Sequence, residues 1–358
     1  MNPTAQPPLK NELIQIGVPQ AQPAQGPARP ESGPQLRPPV VLDLKVGEAV
    51  RVRSVSEILA TLDAEGKLES IPFMPEMLPY CGRQFRVSRR ADRTCAAGEP
   101  RSLGSTVHLD ELRCSGSAHH DCQAQCLLLW KEAWLERAVF PQDGSKETAE
   151  SPAKRRTLFS ALSWLGSLAE RPGGKLMCQA TELRVASCPL SVGGPVIFGG
   201  SVVRALLTRK IGFAELRILY RWISGSLIRK YFFLRLRLGL KPAAQDQEPG
   251  KLDLQPGELV EPRSIPEILS TLNAQGAHRG LQFKPEMFAF CGGQYRVRGK
   301  IETRVNEQTG DLAHMKNECV LLDSVYCGGQ LHFCSRSNYF YWREEWLRRV
   351  SDKPKENG

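Results

Sequence analysis

Apolar and polar positions follow two different periods in the first well-patterned part of the chain. Residues 46–52 alternate between polar and apolar side chains, which predicts a β-strand that follows a turn at Gly47. Ser54 is followed three residues later by Glu57, a pair typical of a capping box at the start of a helix. The apolar residues beyond it repeat at helical spacing, and Gly66 is predicted to end this short helix.

The same pattern returns in the second half of the chain. The sequence RSVSEILATLDAEG at 53–66 corresponds to RSIPEILSTLNAQG at 263–276. The sequence PEMLPYCGRQFRV at 75–87 likewise corresponds to PEMFAFCGGQYRV at 285–297, again 210 residues later. Solenoid proteins repeat at periods of about 20–50 residues, so this much longer spacing predicts a duplicated domain instead.

A pair of tryptophans four residues apart follows each copy. The two pairs are Trp130 with Trp134 and Trp342 with Trp346. Because residues four apart share one face of a helix, the first pair predicts a helix over about 127–137, with an equivalent helix in the second copy. Glu132 and Glu344 fall between the tryptophans and are predicted to lie on the solvated face of these helices.

These patterns divide the chain into five parts. A first module spans 41–139 and a second spans 251–350, while 140–250 forms a linker with a basic insert. Residues 1–40, which contain ten prolines, and residues 351–358 are predicted to be disordered tails. The predicted fold class is α+β, with two duplicated small β-rich modules of the SH3-like barrel type. Each module ends in a helix, and a helical basic insert joins them.

The positive charge of the chain is concentrated in the insert. The 358 residues carry a net charge of +10, and the stretch 202–241 holds ten lysines and arginines against one acid. Aromatic and aliphatic residues alternate with these charges, a pattern typical of an amphipathic helix that contacts a partner protein or an anionic membrane surface. Binding of nucleic acid, or packing of the helix between the modules, would use the same charges. The predicted surface comprises Arg209, Lys210, Arg217, Arg221, Trp222, Arg229 and Lys230.

The chain contains no apolar run long enough for a transmembrane helix, and its N-terminal sequence lacks the pattern of a secretory signal. We therefore expect a cytoplasmic protein that is at most peripheral to the membrane. In a reducing compartment, clustered cysteines are more often metal ligands or buried thiols than disulfides. The eleven cysteines of this chain are therefore the main source of candidate chemistry.

The cysteines of the first module predict a metal site. Four thiolates are the number that a closed tetrahedral zinc site requires, and an iron–sulfur centre is the less favoured alternative. The predicted ligands are Cys95, Cys114, Cys122 and Cys126. The His119-His120-Asp121 segment inside the same loop is predicted to be solvated. Buried thiols without a metal, and redox chemistry, are the alternatives.

The second module repeats only part of this set. The counterparts, in chain order, are Val305 for Cys95, Cys327 for Cys114, Cys334 for Cys122 and Asn338 for Cys126. The second module adds Cys319. The sequence predicts a hairpin at this point of each module, with the positions of Cys95 and Cys319 on its opposite arms, so Cys319 could replace a missing thiolate. The second predicted site comprises Cys319, Cys327 and Cys334, with His332 or Cys291 as a fourth ligand. The remaining thiols, Cys81, Cys178 and Cys188, and alternatively Cys291, are predicted to be buried.

Several short sequence signatures of this chain occur together, and in the same order, in a known group of proteins. They are EILATLD, PFMPEM, CLLLWKEAWL, CQATEL and YWREEWL. With them the chain resembles a family of uncharacterised bacterial proteins with duplicated Cys/Trp modules, over most of 45–350. The chain departs from the family pattern after Cys188 and at Asn338.

The resemblance implies an accessory role in bacterial envelope or natural-product biosynthesis, with no assigned activity. The chain also lacks a Walker motif, a Gly-rich dinucleotide loop and a G-x-S-x-G elbow. We therefore expect a non-catalytic, metal-stabilised scaffold protein that binds a partner protein or a membrane surface. The alternatives are a metal- or thiol-dependent biosynthetic enzyme and a nucleic-acid-binding protein.

Overall fold

The computed structural model describes six parts of the chain. These are residues 42–138, 152–190, 234, 252–273, 275–329 and 334–350. The predicted tails and the predicted surface of the basic insert lie outside the described residues. The described residues form antiparallel sheets and short helices, which confirms the α+β class. No helix in the described ranges is long and apolar enough to cross a membrane.

The elements are numbered here in chain order. The strands are β1 (Ala49–Val52), β2 (Lys67–Leu68), β3 (Ile71–Pro72), β4 (Gln84–Arg90), β5 (Arg93–Ala96), β6 (Glu99–Ser102), β7 (Thr106–Leu109), β8 (Trp130–Lys131), β9 (Leu135–Arg137), β10 (Glu170–Arg171), β11 (Lys175–Leu176), β12 (Cys188–Pro189), β13 (Leu259–Pro262), β14 (Ala277–His278), β15 (Leu281–Gln282), β16 (Tyr295–Val305), β17 (Leu312–Leu322) and β18 (Leu347–Arg349). The α-helices are α1 (Val55–Thr61), α2 (Pro152–Leu168), α3 (Gln179–Ala186) and α4 (Ile265–Thr271). Short 3₁₀ helices span Pro75–Tyr80, Glu132–Trp134, Pro285–Phe290 and Glu344–Trp346.

The first module is built on a five-stranded antiparallel sheet in the order β8–β7–β4–β1–β9. Strand β1 lies inside this sheet, where Val50 and Val52 are fully buried. Phe73 packs edge-on against Trp134 in the core, with the ring centroids 5.2 Å apart. Residues 93–102 form the β5–β6 hairpin, and β12 extends it to three strands.

The second module places its elements in the same order. Its sheet runs β17–β16–β13–β18, with β13 paired to β16 and β18 as β1 is paired to β4 and β9. Strands β16 and β17 form one long hairpin with two irregularities in register. Phe283 packs edge-on against Trp346 with a centroid separation of 5.2 Å, the separation of the corresponding rings in the first module.

The capping boxes predicted from the sequence are both present. The Ser54 side chain accepts a hydrogen bond from the backbone of Glu57, and the Glu57 carboxylate accepts one from the Ser54 backbone. Helix α4 begins with the same arrangement at Ser264. Helix α1 ends at Thr61 and not at Gly66, because Leu62 already has extended dihedral angles. Gly66, with φ +71°, belongs to the turn before β2.

The helices predicted over the tryptophan pairs do not form. Residues 130–137 are strand β8, one 3₁₀ turn and strand β9, and residues 344–349 are a 3₁₀ turn followed by β18. Leu135 pairs with Val52 of β1, so the sheet uses the backbone groups that a helix would have used. Both tryptophans of each pair are nevertheless fully buried in the core.

Residues 152–190 pack onto the first module. Ala161, Trp164 and Leu165 of α2 are buried in its core cluster. The Gln179 side chain at the start of α3 accepts from the backbone N–H of Leu129 and donates to its carbonyl, both at 2.8 Å. This segment, predicted as linker, therefore completes one side of the first module.

The two modules meet through reciprocal contacts. The backbone N–H of Gln123 donates to the carbonyl of Thr303 at 3.0 Å, and the N–H of Ser335 donates to the carbonyl of Arg93 at 3.0 Å. Gln123 and Ser335 are equivalent in the repeat, and so are Thr303 and Arg93. Each module therefore makes the same bond to the other. Arg113 stacks over the ring of Tyr339, 4.2 Å from its centroid. Each cysteine-rich loop therefore lies against the long hairpin region of the other module.

Candidate metal centre

Glu76 is the centre of a buried polar cluster in the first module. It lies on the 3₁₀ helix that begins at Pro75, and its side chain is only 2% exposed. Its Oε1 atom accepts hydrogen bonds from the backbone N–H of Ala118 at 3.1 Å and from Nδ1 of His119 at 2.8 Å. The Sγ atom of Cys114 lies 3.7 Å from the same oxygen. One oxygen atom therefore faces the imidazole and the thiol together.

A tight loop brings Cys114 and His119 to this carboxylate. The backbone N–H of His119 donates to the carbonyl of Gly116 at 2.8 Å, and that of Cys122 donates to His119 at 3.2 Å. Gly116 has φ +78°, and a Cβ atom there would overlap the backbone of Cys122. Only glycine satisfies both conditions, so the turn depends on this residue.

The hydrogen bonds of His119 fix the orientation of its ring. Nε2 lies 3.0 Å from the carbonyl oxygen of Met177, which can only accept, so Nε2 carries a proton. Nδ1 therefore points at Glu76 and Cys114. Histidines that bind metals commonly donate their other ring N–H to a backbone carbonyl in this way. The ring of His119 is thus held as a metal-ligating imidazole would be.

The cluster leaves one buried atom without a partner. Oε2 of Glu76 is inaccessible to solvent and has no hydrogen-bond partner among the described residues. A buried carboxylate oxygen is costly to leave unsatisfied, so such an atom calls for an explanation, and a bound ion is one. One ligand atom each from Glu76, Cys114 and His119 lies within 4.8 Å of the others, which is close enough for a single metal ion.

Burial and charge control protonation in this cluster. Burial raises the pKa of the Cys114 thiol well above its ordinary value, and the neighbouring Glu76 carboxylate adds to that rise. Burial acts to lower the pKa of His119, but the bond and charge of Glu76 outweigh it and raise that pKa. Burial acts to raise the pKa of Glu76, and His119 reverses this effect and lowers it. Glu76 therefore favours the protonated form of His119 and opposes ionisation of the Cys114 thiol.

A small cavity adjoins the cluster and is lined by further thiols. It encloses about 30 Å³. The cysteines on its wall are Cys114, Cys122, Cys126 and Cys178. Burial raises the pKa of Cys126 to about 12 and that of Cys178 to about 11, which keeps both thiols protonated at neutral pH. Three of the four ligands predicted for the first module thus surround one space, together with a fourth thiol from the segment predicted as linker.

The structure places the fourth predicted ligand of the first module elsewhere. The Sγ atom of Cys95, on β5, lies 2.9 Å from the Sγ atom of Cys334 in the second module. The sequence assigns these two cysteines to separate metal sites. It does so because aligning one module on the other gives no information on how the two modules contact each other.

The ligands predicted for the second module are dispersed. Cys319 is fully buried on β17, and Nη1 of Arg343 lies 3.1 Å from its Sγ atom. Cys327 is a partly buried thiol whose pKa is raised chiefly by burial and also by the charge of Glu286. His332 lies outside the described residues. The only cluster of metal-ligand type found in the described ranges is that of Glu76, Cys114 and His119.

Several side chains that the sequence assigns to solvent are buried. His119 is 1% exposed, which contradicts the prediction of a solvated His119-His120-Asp121 segment, although His120 is exposed as predicted. Glu132 and Glu344 are also buried and not on a solvated face. One sequence signal could have identified Glu76 and His119. Both have counterparts in the second module, Glu286 at spacing 210 and His332 at spacing 213, the spacings that also relate the flanking segments.

The other unassigned thiols differ in burial. Cys81 and Cys291 are partly buried against the two cores, and burial raises the pKa of each to about 12. Cys188 is exposed on β12, which contradicts its predicted burial. Cys178 has a buried thiol, as predicted, on the wall of the cavity.

Comparison of the chain with protein-family models, with curated proteins and with solved structures finds no match. The resemblance noted from the sequence signatures therefore remains an expectation. Any assignment of function depends on the residues of the site and on how they are arranged.

Proposed function

We propose that this chain is a metal-stabilised scaffold protein made of two duplicated modules, in which Glu76, Cys114 and His119 bind a zinc ion. The observation that carries the proposal is the buried convergence of a carboxylate, a thiol and an oriented imidazole, with Oε2 of Glu76 left without a partner. A metal ion would replace the protons now held between these groups and would satisfy that oxygen.

The donor set favours zinc. Zinc binds carboxylate oxygen, imidazole nitrogen and thiolate sulfur together, whereas calcium and magnesium prefer sites composed of oxygen alone. Of the four cysteines on the cavity wall, only Cys114 belongs to the converging group, and this does not favour an iron–sulfur cluster, which is normally held by four cysteines. Cys178 is the candidate for a fourth ligand, because it lines the same cavity as Cys114 and His119.

The size of the cavity favours a structural metal. A volume of about 30 Å³ accepts a water molecule or the movement of one side chain. Pockets that bind organic substrates typically enclose about 300–1,000 Å³. The metal would instead connect three separate segments: the 3₁₀ helix of Glu76, the cysteine-rich loop, and residues 175–178, whose Met177 carbonyl orients His119.

The duplication is supported by the repeat and by paired details of geometry. Gly116 and Gly329 both have positive φ, and a Cβ at Gly116 would overlap the backbone of Cys122, as one at Gly329 would overlap that of Cys334.

The basic insert is proposed to bind a partner protein or an anionic membrane surface from the cytoplasmic side. Flotation of the full chain with anionic and with neutral vesicles, compared with a deletion of 202–241, tests the membrane part of this proposal.

The alternative is a metal-dependent enzyme. It is favoured by one observation, namely that three ligands converge, and catalytic zinc sites keep three protein ligands and one open position. Cobalt substitution distinguishes the two cases. Absorption typical of a closed tetrahedral site that is unaffected by azide supports the scaffold, while a spectrum that changes with azide supports the enzyme.

Elemental analysis of untagged full-length protein, refolded or purified with zinc and then dialysed, tests the site itself. We expect close to one zinc per chain in the wild type and loss of that zinc in Cys114→Ser and in His119→Gln. His120→Gln is the matched control, because His120 is the exposed neighbour and pairs with Glu170. Wild-type protein that binds no zinc, and whose melting temperature does not respond to zinc, would overturn the proposal.

A further inference from the structure

The contact between Cys95 and Cys334 is a second concentration of thiol chemistry, separate from the metal cluster. The two Sγ atoms lie 2.9 Å apart although the residues are 239 positions apart in the chain. Cys95 is on the β5–β6 hairpin of the first module, and Cys334 is in the cysteine-rich loop of the second. This thiol pair therefore spans the boundary between the modules.

We propose that Cys95 and Cys334 are a modification site at which a hydroperoxide closes a reversible disulfide that locks the two modules together. The proposal does not rest on the metal site, since neither cysteine is among the residues proposed to bind zinc. It rests on the distance between the two sulfur atoms and on how firmly the surroundings hold them.

The backbone around the thiol pair fixes both sulfur atoms. The N–H of Ser335, next to Cys334, donates to the carbonyl of Arg93 at 3.0 Å. The Arg336 side chain donates to the carbonyl of Cys95 at 3.1 Å and forms an ion pair with Glu307 at 2.6 Å. These bonds join the two segments across the module boundary and hold the two thiols next to each other.

The electrostatic setting supports attack by Cys95. Its bond with Cys334 lowers the pKa of the Cys95 thiol to about 7, with help from the Arg336 guanidinium and against the effect of burial. The pKa of Cys334 is raised well above its usual value, chiefly by the same bond. Cys95 is assigned as the attacking thiolate and Cys334 as the resolving thiol, because Cys95 is partly exposed to an oxidant while Cys334 is buried, and the thiolate is the nucleophile in such reactions.

The reaction balances with hydrogen peroxide as the oxidant. The Cys95 thiolate attacks one peroxide oxygen, the O–O bond breaks, and hydroxide leaves and takes up a proton to become water. The sulfenic acid on Cys95 is then attacked by the sulfur of Cys334. The S–O bond breaks, an S–S bond forms, and the second water leaves with the proton from Cys334. Two thiols lose two electrons and two protons, which the peroxide accepts.

The repeat contains its own comparison for this site. Val305 is the counterpart of Cys95, and its backbone N–H lies 3.3 Å from the sulfur of Cys122, the counterpart of Cys334. The same contact between modules thus occurs twice, once with two thiols and once with one. Valine occupies the equivalent position in the other module, so Cys95→Val removes the reactive group with a residue that the repeat itself contains there.

The test oxidises the reduced full-length protein with hydrogen peroxide, alkylates the remaining thiols and maps the peptides without reduction. We expect one dominant disulfide-linked peptide joining Cys95 to Cys334 within one chain, and a higher melting temperature for the oxidised protein that dithiothreitol reverses. Neither effect should occur in Cys95→Val or in Cys334→Ser. Adding a zinc chelator should not prevent the link, which separates this result from the fate of the metal site.

Three outcomes would overturn the proposal. One is alkylation of both Cys95 and Cys334 under conditions that oxidise other cysteines of the chain. Another is a persistent sulfenic acid on Cys95, trapped by dimedone while Cys334 remains free. The third is a disulfide that forms without any change in melting temperature, because the two modules would then not be locked by it.

Discussion

Buried carboxylates that accept backbone hydrogen bonds hold the start of each module to its end. Glu132 accepts from the N–H groups of Asp43 and Leu44, at 2.8 and 3.2 Å. Glu344 accepts from Asp253 and Leu254, both at 2.9 Å. Each glutamate therefore joins the 3₁₀ turn between the tryptophans to the segment before the first strand. A carboxylate suits this position because it accepts several bonds at once.

Neutralising these two glutamates should have unequal effects. Glu132 also pairs with the largely buried Arg90 at 2.9 Å, whereas Lys300, at the corresponding position, pairs with Asp253. We expect Glu132→Gln to lower the free energy of unfolding by about 3 kcal/mol, because it weakens three bonds to a buried charge. Glu344→Gln should cost less, about 2 kcal/mol. Urea denaturation of both variants measures the difference, and equal losses would show that the Arg90 contact adds nothing.

The sequence could identify Cys114 of the candidate site but not its other ligands. Cys114 stands out because it belongs to a cluster with Cys122 and Cys126, and clustered cysteines are uncommon in a chain expected to be reduced. Glu76 and His119 do not stand out, because each also fits a common role, a polar residue after proline or a loop histidine. Burial distinguishes these roles, and burial of His119 depends on residues 175–178, a segment that sequence alone assigns to a linker.

At the scale of elements, the capping motifs predicted the structure better than the spacing of the tryptophans did. Both capping boxes formed at the predicted residues, since a cap is satisfied within four residues of chain. The tryptophan pairs misled because a spacing of four has two solutions, one helical turn or a tight 3₁₀ turn between two strands. Pairing of β9 with β1, more than 80 residues earlier in the chain, decides between them.

Strand β7 contributes a histidine to the boundary between modules. His108 is 1% exposed, with Nδ1 2.9 Å from the carbonyl of Leu128 and Nε2 3.0 Å from the hydroxyl of Ser335. The carbonyl can only accept, so Nδ1 carries the proton and Nε2 accepts from the hydroxyl. Burial, followed by the charge of Arg89, lowers the pKa of His108 to about 3. The ring is therefore neutral in the folded protein.

This histidine should make the stability of the protein depend on pH. The unfolded chain takes up a proton at His108 near pH 6.5, and the folded chain does so only near pH 3. The unfolded state thus binds more protons between these values, and stability present above pH 6.5 is lost as the pH falls toward 3. The full loss is at most about 5 kcal/mol, by the free energy equivalent of the shift.

Denaturation curves between pH 7 and pH 4 test this contribution. His108→Gln keeps the hydrogen-bonding capacity without the titration, so its stability should fall less steeply with acid than that of the wild type. His314→Gln, at an exposed position on β17, is the control and should retain the wild-type slope. Parallel slopes in all three proteins would show that His108 does not titrate differently in the folded state.

At the scale of the whole molecule, the contact between modules was beyond reach of the sequence. The repeat predicts two similar units, but their mutual arrangement depends on which surfaces fit together. In the structure, the cysteine-rich loop of each module lies against the other module, and the backbone bonds of Gln123 and Ser335 join them. This arrangement brings together Cys95 and Cys334, which no alignment of one module on the other could do.

The reciprocal contact predicts that a second thiol pair can be created. In Val305→Cys the new thiol should face Cys122, whose sulfur lies 3.3 Å from the backbone nitrogen of residue 305. Peroxide should then form a second link, to Cys122, which peptide mapping would detect. Arg304→Cys is the control, because neighbouring residues of a strand point to opposite faces. A link to Cys122 from position 304 but not from 305 would contradict the reciprocal geometry.

The exchange of equivalent contacts across the module boundary also bears on how such a chain could have arisen. An interface in which each half offers the other the same surface is the kind that closes a symmetric homodimer. Under the proposed duplication, a shorter ancestor with a single module would have found its partner in another copy of itself. Joining two copies in one polypeptide would then end the requirement that every substitution suit both sides at once. Cys95 in one half and Val305 in the other is a difference that no symmetric pair of identical chains can carry, so the proposed duplication places its origin after the two copies became distinct.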